Sequence, residues 1–327
     1  MKTLLLKGLS KKLLCAIAPL SVLALSLPAE AANFSQIYAF GDSLVDTGNA
    51  FDLTSFPPAP YFEGRYANGP LWTEYLADDL GIPATHFGFG GAWTSREGIV
   101  QAGPDNLVPV PGLQTQIDNF ATEATDPDAL YVLWAGANDY LFGGITDPTE
   151  PVANLVNAVN TLSSVGARHF MLVNQPDLGN LPIVGLVGTA ELATGLNQLS
   201  EFHNQGLAAA VTALDGTGIH AELLDANALI RQSQAGGFGF TNPTGVCTST
   251  PACVADEAVA STYLFWDPVH PTTRAHSIVA QAAREQLADK FDKADNKVST
   301  PEPGVLLGTL VLGGLVAGRV KRDRVSA

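Results

Sequence analysis

Ala129-Leu-Tyr-Val-Leu-Trp-Ala135 is an unbroken apolar stretch, and Gly136-Ala-Asn-Asp139 follows it directly. A strand that is apolar on both faces is typical of the middle of a parallel sheet, because helices cover both faces of such a sheet. Shorter apolar runs at residues 37–40 and 170–173 have the same character, and the short segment 221–224 is apolar except for Glu222. We therefore predict that residues 129–135 form a central parallel strand and that the shorter runs belong to the same sheet.

Segments with helical spacing of apolar residues separate these runs. The predicted helices are residues 71–80, 113–121, 152–165, 190–214 and 272–291. With one further strand predicted at residues 86–89, the alternation of strands and helices indicates a doubly wound α/β sheet. Two long connections, residues 46–69 and 98–112, are expected to be loops that wall a substrate cleft.

The composition excludes two classes of protein. The chain has 327 residues, of which 46% are apolar and 15% charged, whereas a disordered chain is poor in apolar residues and rich in charge. The formal net charge is −15, and many of the basic residues lie at the two ends. An acidic body of this kind repels phosphate backbones, so nucleic-acid binding is not expected.

The first 31 residues have the features of a secretory signal peptide. Lys2, Lys7, Lys11 and Lys12 precede a mostly apolar run at residues 13–27. Ala29-Glu-Ala31 then provides a small-residue cleavage site before Ala32. This predicts processing by signal peptidase. A retained N-terminal anchor is the alternative, although the apolar run is short for a helix that spans a membrane.

Residues 299–327 are predicted to be a linker and a sorting tail. Pro301-Glu-Pro303 is followed by an uncharged segment, residues 304–318, and then by four basic residues within 319–324. This pattern alone predicts a short membrane segment with a cytoplasmic stop. The arrangement resembles the PEP-CTERM sorting signal, which implies recognition by a membrane transpeptidase. A simple C-terminal anchor is the alternative, and in both cases the body at 32–298 is expected outside the cytoplasm, in the cell envelope or secreted.

The cysteines agree with export. Cys15 lies in the predicted signal peptide, which leaves Cys247 and Cys253 as a pair in the body. An even number of cysteines in an exported chain favours a disulfide, here one that closes a small loop. A metal site is disfavoured because no other cysteine and no histidine lies close to this pair in sequence.

Polar residues follow three of the predicted strands, at the edge of the sheet where the active sites of such folds lie. Gly41-Asp-Ser43-Leu follows the first strand and is expected to lead toward a helix, and Gly90-Gly91 follows the strand at 86–89. Gly136-Ala-Asn138-Asp139 follows the central strand. A serine hydroxyl becomes a nucleophile when a histidine removes its proton and a carboxylate orients that histidine.

Asp267-Pro-Val-His270 offers this histidine and carboxylate three residues apart, in a loop with prolines on either side of His270. The backbone N–H groups of Ser43 and Gly91 and the side-chain amide of Asn138 are the predicted donors to an oxyanion. His276 is the rival base, but it is expected to lie inside the last helix.

Phe40-Gly-Asp-Ser-Leu-Val-Asp-Thr-Gly-Asn49 resembles the first block of the GDSL, or SGNH, hydrolase family. Gly91, Gly136-x-Asn138-Asp139 and Asp267-x-x-His270 match the later blocks in order, and the resemblance covers residues 36–290. Gly64-Arg-Tyr-Ala-Asn-Gly69 and Leu264-Phe-Trp-Asp267 look like the lecithinase and lipase-like branch. His86 stands where many members of the family have asparagine.

The resemblance implies a flavodoxin-like three-layer α/β/α sandwich that hydrolyses carboxylic esters through an acyl-serine. It implies a triad of Ser43, Asp267 and His270 and no metal or cofactor. The leading hypothesis is an exported serine esterase or lipase that acts on a small-molecule or lipid ester. The alternatives are a carbohydrate O-deacetylase and, from another class, an inactive surface-binding protein, which the complete catalytic set disfavours. Five aromatic residues are candidates to line an acyl or sugar site, namely Phe51, Phe56, Tyr61, Phe62 and Tyr66.

Overall fold

The computed structural model describes residues 34–103, 105–122 and 125–298. The predicted signal peptide at 1–31 with Cys15, and the predicted tail at 299–327 with its membrane segment at 304–318, lie outside the described residues. Within the described ranges, no helix is both long enough and apolar enough to cross a membrane.

A five-stranded sheet forms the centre of the fold. The strands of the described chain are β1 (Ile37–Gly41), β2 (Ala84–His86), β3 (Glu97–Gln101), β4 (Leu107–Pro111), β5 (Leu130–Trp134), β6 (His169–Val173), β7 (His220–Leu224), β8 (Asn242–Val246) and β9 (Tyr263–Phe265). The central sheet has the order β2-β1-β5-β6-β7, and all its neighbouring strands pair in parallel. This is the flavodoxin-like order, as predicted.

Helices cover both faces of the sheet. The α-helices of the described chain are α1 (Asn49–Thr54), α2 (Trp72–Leu80), α3 (Leu113–Phe120), α4 (Ala137–Leu141), α5 (Thr149–Ser164), α6 (Pro182–Val187), α7 (Ala190–Leu214), α8 (Ala226–Gln234), α9 (Pro251–Ala255), α10 (Glu257–Ala260) and α11 (Thr273–Val298). Side chains from α2, α8 and α11 pack on one face, and side chains from α3, α5 and α7 pack on the other. The fold is therefore the three-layer α/β/α sandwich.

The alternation of side chains along the central strands builds these two cores. In β5, Leu130, Val132 and Trp134 point to the α2 and α11 side, while Tyr131 and Leu133 point to the α3 and α5 side. Every residue of β5 is buried. A strand buried on both faces has no polar position, which is why this stretch is unbroken in the sequence.

The order of the sheet places the functional loops. The chain leaves β1 toward β2 on one side of it and later returns to β5 on the other side. Connections that leave neighbouring strands in opposite directions open a crevice beyond the strands' carboxyl ends. Ser43 follows β1 and Asn138 follows β5, so both lie at this crevice.

Three sequence predictions differ from the structure. The strand predicted at 86–89 is β2, which begins two residues earlier, although Phe87 and Phe89 still donate backbone hydrogen bonds to β1 at Ala39 and Gly41. The connection at 98–112 is mostly the antiparallel hairpin β3–β4 rather than a loop. The connection at 46–69 contains the short helix α1.

Candidate active site

Ser43 lies in a tight turn just past the end of β1 and is only 7% exposed. The turn is closed by the Val45 N–H, which donates to the Asp42 carbonyl. The chain leads from Ser43 toward the six-residue helix α1, which begins only at Asn49. The Asp42 N–H still donates to the Trp134 carbonyl of β5, so the serine turn starts at the end of the sheet and is separate from the helix.

The end of β1 is fixed from two sides. Gly41 has φ 143°, and a Cβ at this position would lie 1.9 Å from the Trp134 carbonyl oxygen, so only glycine fits. The side-chain amide of Gln116 accepts from the Gly41 N–H at 2.9 Å and donates to the Gly41 carbonyl at 2.9 Å. This role of Gln116 could not be predicted from the sequence, because no motif around its position on α3 points to Gly41.

The structure brings the three predicted side chains of the triad into one chain of hydrogen bonds. His270 Nε2 lies 2.8 Å from Ser43 Oγ, and His270 Nδ1 lies 2.7 Å from Asp267 Oδ2. An ionised carboxylate only accepts hydrogen bonds, so Nδ1 carries the proton and Nε2 is free to accept from the serine hydroxyl. This is the tautomer that a general base requires.

Asp267 is held as an anion. Its Oδ1 accepts the backbone N–H groups of Val269 and His270, each at 2.7 Å, and its Oδ2 also accepts the Tyr61 hydroxyl at 2.7 Å. Burial alone would raise the pKa of Asp267, but the charge of His270 and the hydrogen bonds from His270 and Val269 outweigh it and lower the pKa. From the sequence, Tyr61 is a candidate only for lining an acyl or sugar site, and its contact with Asp267 is visible only in the structure.

Two of the predicted oxyanion donors, Gly91 and Asn138, lie in the lining of a cavity beside Ser43. Gly91 has φ +79°, and a Cβ there would lie 2.2 Å from the Ile99 carbonyl oxygen, so the position requires glycine. Asn138 Nδ2 donates to the Ala92 carbonyl at 3.0 Å, and the same nitrogen carries a second N–H. Gly91 and Asn138 line one cavity together with Ser43 and His270.

Two buried aspartates brace these turns. Asp46 accepts the N–H groups of Gly48, Asn49 and Ala50 in its own turn and that of Gly90 at 2.7 Å across the site. Burial raises the pKa of Asp46, although these bonds oppose the rise. The turn that carries the serine and the turn that carries Gly91 are therefore tied to one carboxylate.

Asp139 connects the turn of Asn138 to the segment that follows Gly91. It accepts the backbone N–H of Thr94 at 3.0 Å and the Thr94 hydroxyl at 2.6 Å. Burial raises the pKa of Asp139 to about 6, against the effect of the hydrogen bonds from Thr94. Since Asn138 also bonds to Ala92, the segments that hold the two oxyanion donors are joined by both residues.

His276, the rival candidate for the base, is buried in the last helix. It lies inside α11 and is 1% exposed, and its Nδ1 accepts the backbone N–H of Trp72. Burial lowers the pKa of His276 to about 3. His86, at the position where asparagine was expected, packs against α2 with Nε2 2.9 Å from Thr73 Oγ1, and burial lowers the pKa of His86 to about 4.

Residues from both long connections wall the open side of the site. A cavity of about 300 Å³ beside Ser43 is lined by Phe56 and Tyr66 from the first connection and by Ile99 and Leu107 from the β3–β4 hairpin. Phe51 and Phe62, which were also candidates, are 37% and 38% exposed and are not among the residues that line this cavity.

An ion pair anchors the connection that carries Tyr61 and Tyr66. Arg65 binds Glu74 of α2 through two hydrogen bonds, Nε to Oε2 at 2.8 Å and Nη2 to Oε1 at 2.7 Å. Burial by itself would raise the pKa of Glu74, but the bonds from Arg65 and the Leu71 N–H lower it. The Tyr66 ring then lies 4.9 Å from the His270 ring, measured between centroids.

A disulfide joins Cys247 and Cys253, as expected for the pair. Both cysteines are buried and pack with Trp266, the residue before Asp267. Among the described residues there is no group of three or more histidine, cysteine, aspartate or glutamate side chains that could hold a metal ion.

The chain is similar to a known family and to individual proteins. Residues 37–283 match the family described as GDSL-like lipase/acylhydrolase. The chain is 28% identical to a phosphatidylcholine-sterol acyltransferase of Aeromonas hydrophila, over 79% of this chain and 92% of that protein. It is 29% identical to a thermolabile hemolysin of Vibrio parahaemolyticus, over 77% of this chain and 64% of that protein.

Among solved structures, a lipolytic protein of the G-D-S-L family from Veillonella parvula is similar with a TM-score of 0.47 and 20% identity. The match covers 76% of this chain and 96% of that one. The family match spans the central sheet, the serine turn and the first part of α11. The chain therefore belongs to the GDSL-like lipase/acylhydrolase family and is a carboxylic ester hydrolase.

Proposed function

We propose that the protein is an exported serine esterase that hydrolyses acyl esters through an acyl-serine intermediate, with Ser43, His270 and Asp267 as its catalytic triad. The observation that carries the proposal is the chain of hydrogen bonds from Ser43 Oγ through the His270 ring to Asp267, at 2.8 and 2.7 Å. A hydroxyl, an imidazole and a carboxylate at these distances are the parts of an activated nucleophile.

In the first half of the reaction, Ser43 Oγ attacks the ester carbonyl carbon while His270 Nε2 takes its proton. The Asp267 carboxylate stabilises the imidazolium that forms. The N–H groups of Ser43, Gly91 and Asn138 stabilise the oxyanion of the tetrahedral intermediate. His270 then gives the proton to the oxygen of the leaving alcohol, the carbon–oxygen bond breaks, and the acyl group remains on Ser43.

In the second half, water attacks the acyl-serine. His270 takes a proton from the water, the same donors stabilise the second oxyanion, and the proton returns to Ser43 Oγ as the carboxylic acid leaves. The open cavity beside Ser43 gives water a route to the acyl-serine.

The test compares the wild type with Ser43→Ala, and with Ser95→Ala as a control that makes the same change in a turn near the site. The wild type and Ser95→Ala are expected to hydrolyse p-nitrophenyl butyrate and to be labelled by a fluorophosphonate probe. Ser43→Ala is expected to lose the label and about 10⁶ in kcat, as in other serine hydrolases. A Ser43→Ala protein with half of the wild-type rate would refute the assignment.

A carbohydrate O-deacetylase is the second candidate. Phe56, Tyr66 and Trp93 line the open cavity, and flat aromatic faces can stack on sugar rings as well as contact acyl groups. Release of acetate from acetylated xylan, measured beside hydrolysis of p-nitrophenyl esters, separates the two. A kcat/KM for the polysaccharide above that for every simple ester would favour the deacetylase.

Export is supported by the signal-like residues 1–31, by the tail at 299–327 and by the disulfide, since disulfides persist in oxidising compartments. The test is expression of the full chain in a bacterial host, followed by cell fractionation and N-terminal sequencing. The expected product begins at Ala32 and lies outside the cytoplasm. A cytoplasmic product that begins at Met1 would contradict export.

A further inference from the structure

Two cavities in the described part of the chain meet at the nucleophile. One is the open cavity of about 300 Å³ described above, and the other is a smaller cavity of about 40 Å³. Ser43, Asn138, Val269 and His270 line both of them. An ester bound at Ser43 has two arms, the acyl group and the alcohol, and the two cavities offer each arm a separate place.

The smaller cavity is mainly apolar. Besides the residues that it shares with the open cavity, it is lined by the buried Asp42 and by apolar side chains such as Leu178, Leu181, Ile230 and Phe265, none of which is more than 9% exposed. Asp42 Oδ1 already accepts the Leu44 N–H. A hydroxyl or charged group placed among the apolar side chains would lose its hydration without gaining hydrogen bonds, which is unfavourable. A hydrocarbon group therefore suits the smaller cavity.

The size of the smaller cavity favours a short group. A cavity needs roughly 10–15 Å³ of this kind of volume to hold one water-sized group. At about 40 Å³, the smaller cavity holds about three such groups, or about three carbon atoms beyond the carbonyl. That length corresponds to a butyryl group.

The open cavity is larger and has a more polar lining. It faces solvent past the hairpin, and Leu107 and Phe142 at its wall are 64% and 61% exposed. Gln101 is among the polar residues that line it. A leaving alcohol can depart from this side without any movement of the core.

We propose that the smaller cavity is the acyl pocket and takes short unbranched acyl groups, from acetyl to butyryl, while the open cavity takes the alcohol part of the ester. Leu181 and Ile230 set the acyl length, and the β3–β4 hairpin contacts the alcohol. This assignment rests on the proposed esterase function.

The experiment measures kcat/KM for p-nitrophenyl esters from acetate to octanoate, with the wild type, Leu181→Ala, Ile230→Ala and the control Leu107→Ala. The quantity compared is the ratio of octanoate to butyrate within each protein, because this ratio does not depend on the fraction of protein that is correctly folded. A second series varies the alcohol of the butyrate ester from ethyl to 2-naphthyl.

The wild type is expected to have its highest kcat/KM on esters with acyl groups in the range from acetate to butyrate, and a kcat/KM at least tenfold lower on octanoate. A methylene that fits or clashes in an apolar pocket changes specificity by about tenfold or more. Leu181→Ala and Ile230→Ala are expected to raise the octanoate to butyrate ratio about tenfold. Leu107→Ala is expected to leave this ratio unchanged and to alter the preference among alcohols.

A wild type that prefers octanoate would overturn the assignment. So would an acyl ratio that moves with Leu107→Ala and not with Leu181→Ala or Ile230→Ala. Failure of the wild type on every ester, without fluorophosphonate labelling, is a different result that would refute the proposed function itself.

Discussion

Replacing Asn138 tests the oxyanion side of the mechanism. Its side chain has two N–H groups, of which one donates to the Ala92 carbonyl at 3.0 Å and the other is the predicted donor to the oxyanion. Loss of one oxyanion donor costs about 10² to 10³ in kcat, or ~2.7–4 kcal/mol. Ala92 directly follows Gly91, so Asn138→Ala also loosens the second donor, and we expect a loss near 10³.

The variant Asn138→Asp separates donation from packing. It keeps the size of the side chain, but a carboxylate cannot donate and would repel the developing oxyanion. We therefore expect Asn138→Asp to be slower than Asn138→Ala, with little change in KM for either. The assay is steady-state hydrolysis of p-nitrophenyl butyrate, with active sites counted by fluorophosphonate labelling.

Asn154→Ala is the matched control, since Asn154 Nδ2 donates to Thr94 Oγ1 at 3.1 Å in the same region but does not line the open cavity. Its kcat is expected to stay close to that of the wild type. The role of Asn138 as an oxyanion donor is refuted if Asn138→Ala keeps more than a tenth of the wild-type kcat, or if Asn138→Asp is the faster of the two Asn138 variants.

Three further changes test the surroundings of the triad. Tyr61→Phe removes a hydrogen bond from the carboxylate that faces the histidine, so the protonated imidazole is favoured and the acid limb of kcat/KM moves up by about half a pH unit to one unit. Tyr75→Phe, which loses a hydroxyl contact at 2.8 Å elsewhere, should leave the pH profile in place, and an unmoved profile in both variants would contradict the first expectation. Burial raises the pKa of Asp42 to about 7, whereas the carboxyl of the unfolded chain ionises near pH 4. As the pH rises between these two values, the free energy of unfolding of the wild type should therefore fall relative to that of Asp42→Asn, by about 1.4 kcal/mol per pH unit. Urea unfolding at pH 5 and 7 measures this, and parallel pH dependence of the two proteins would show the expectation to be wrong. Arg65→Lys replaces the two hydrogen bonds to Glu74 by one at most, and the free energy of unfolding from the same urea titration should fall by about 1 kcal/mol, with no change arguing that the pair is not stabilising.

The sheet and the clustering of the site could be predicted because both depend on patterns that are local in sequence. A two-sided buried strand such as β5 must be apolar throughout, and parallel strands must end at one edge of the sheet. Ser43, Gly91 and Asn138 each follow a strand, so the strand positions alone bring them to the same crevice. His270 could be chosen over His276 because Asp267 precedes it by three residues in a loop framed by prolines, whereas His276 was expected inside the last helix.

The hairpin β3–β4 could have been found from its turn. Gly103-Pro-Asp-Asn106 is rich in turn residues and lies between two short runs that contain valine. Pro109 and Pro111 obscure this pattern, because proline cannot donate to a ladder. In the structure both prolines lie on a two-stranded edge hairpin, where a missing donor is tolerated.

The contact between Tyr61 and Asp267 could not have been predicted in this way. The two residues are 206 positions apart, and nothing near Tyr61 distinguishes its hydroxyl from those of other tyrosines. The same holds for Gln116, which reaches Gly41 across 75 positions. Such contacts depend on how whole elements dock, and periodicity within one element does not report them.

The origin of each part of the site has a consequence for how such an enzyme can change. The reacting groups Ser43, Gly91 and Asn138 stand on strand ends braced by buried aspartates, whereas the walls come from the hairpin and from the segment before α7. Remodelling those walls would retarget the enzyme to another ester and leave the bond-breaking apparatus intact. New specificities should therefore arise in this scaffold by insertion and exchange within the peripheral segments, far more often than by replacement within the strands.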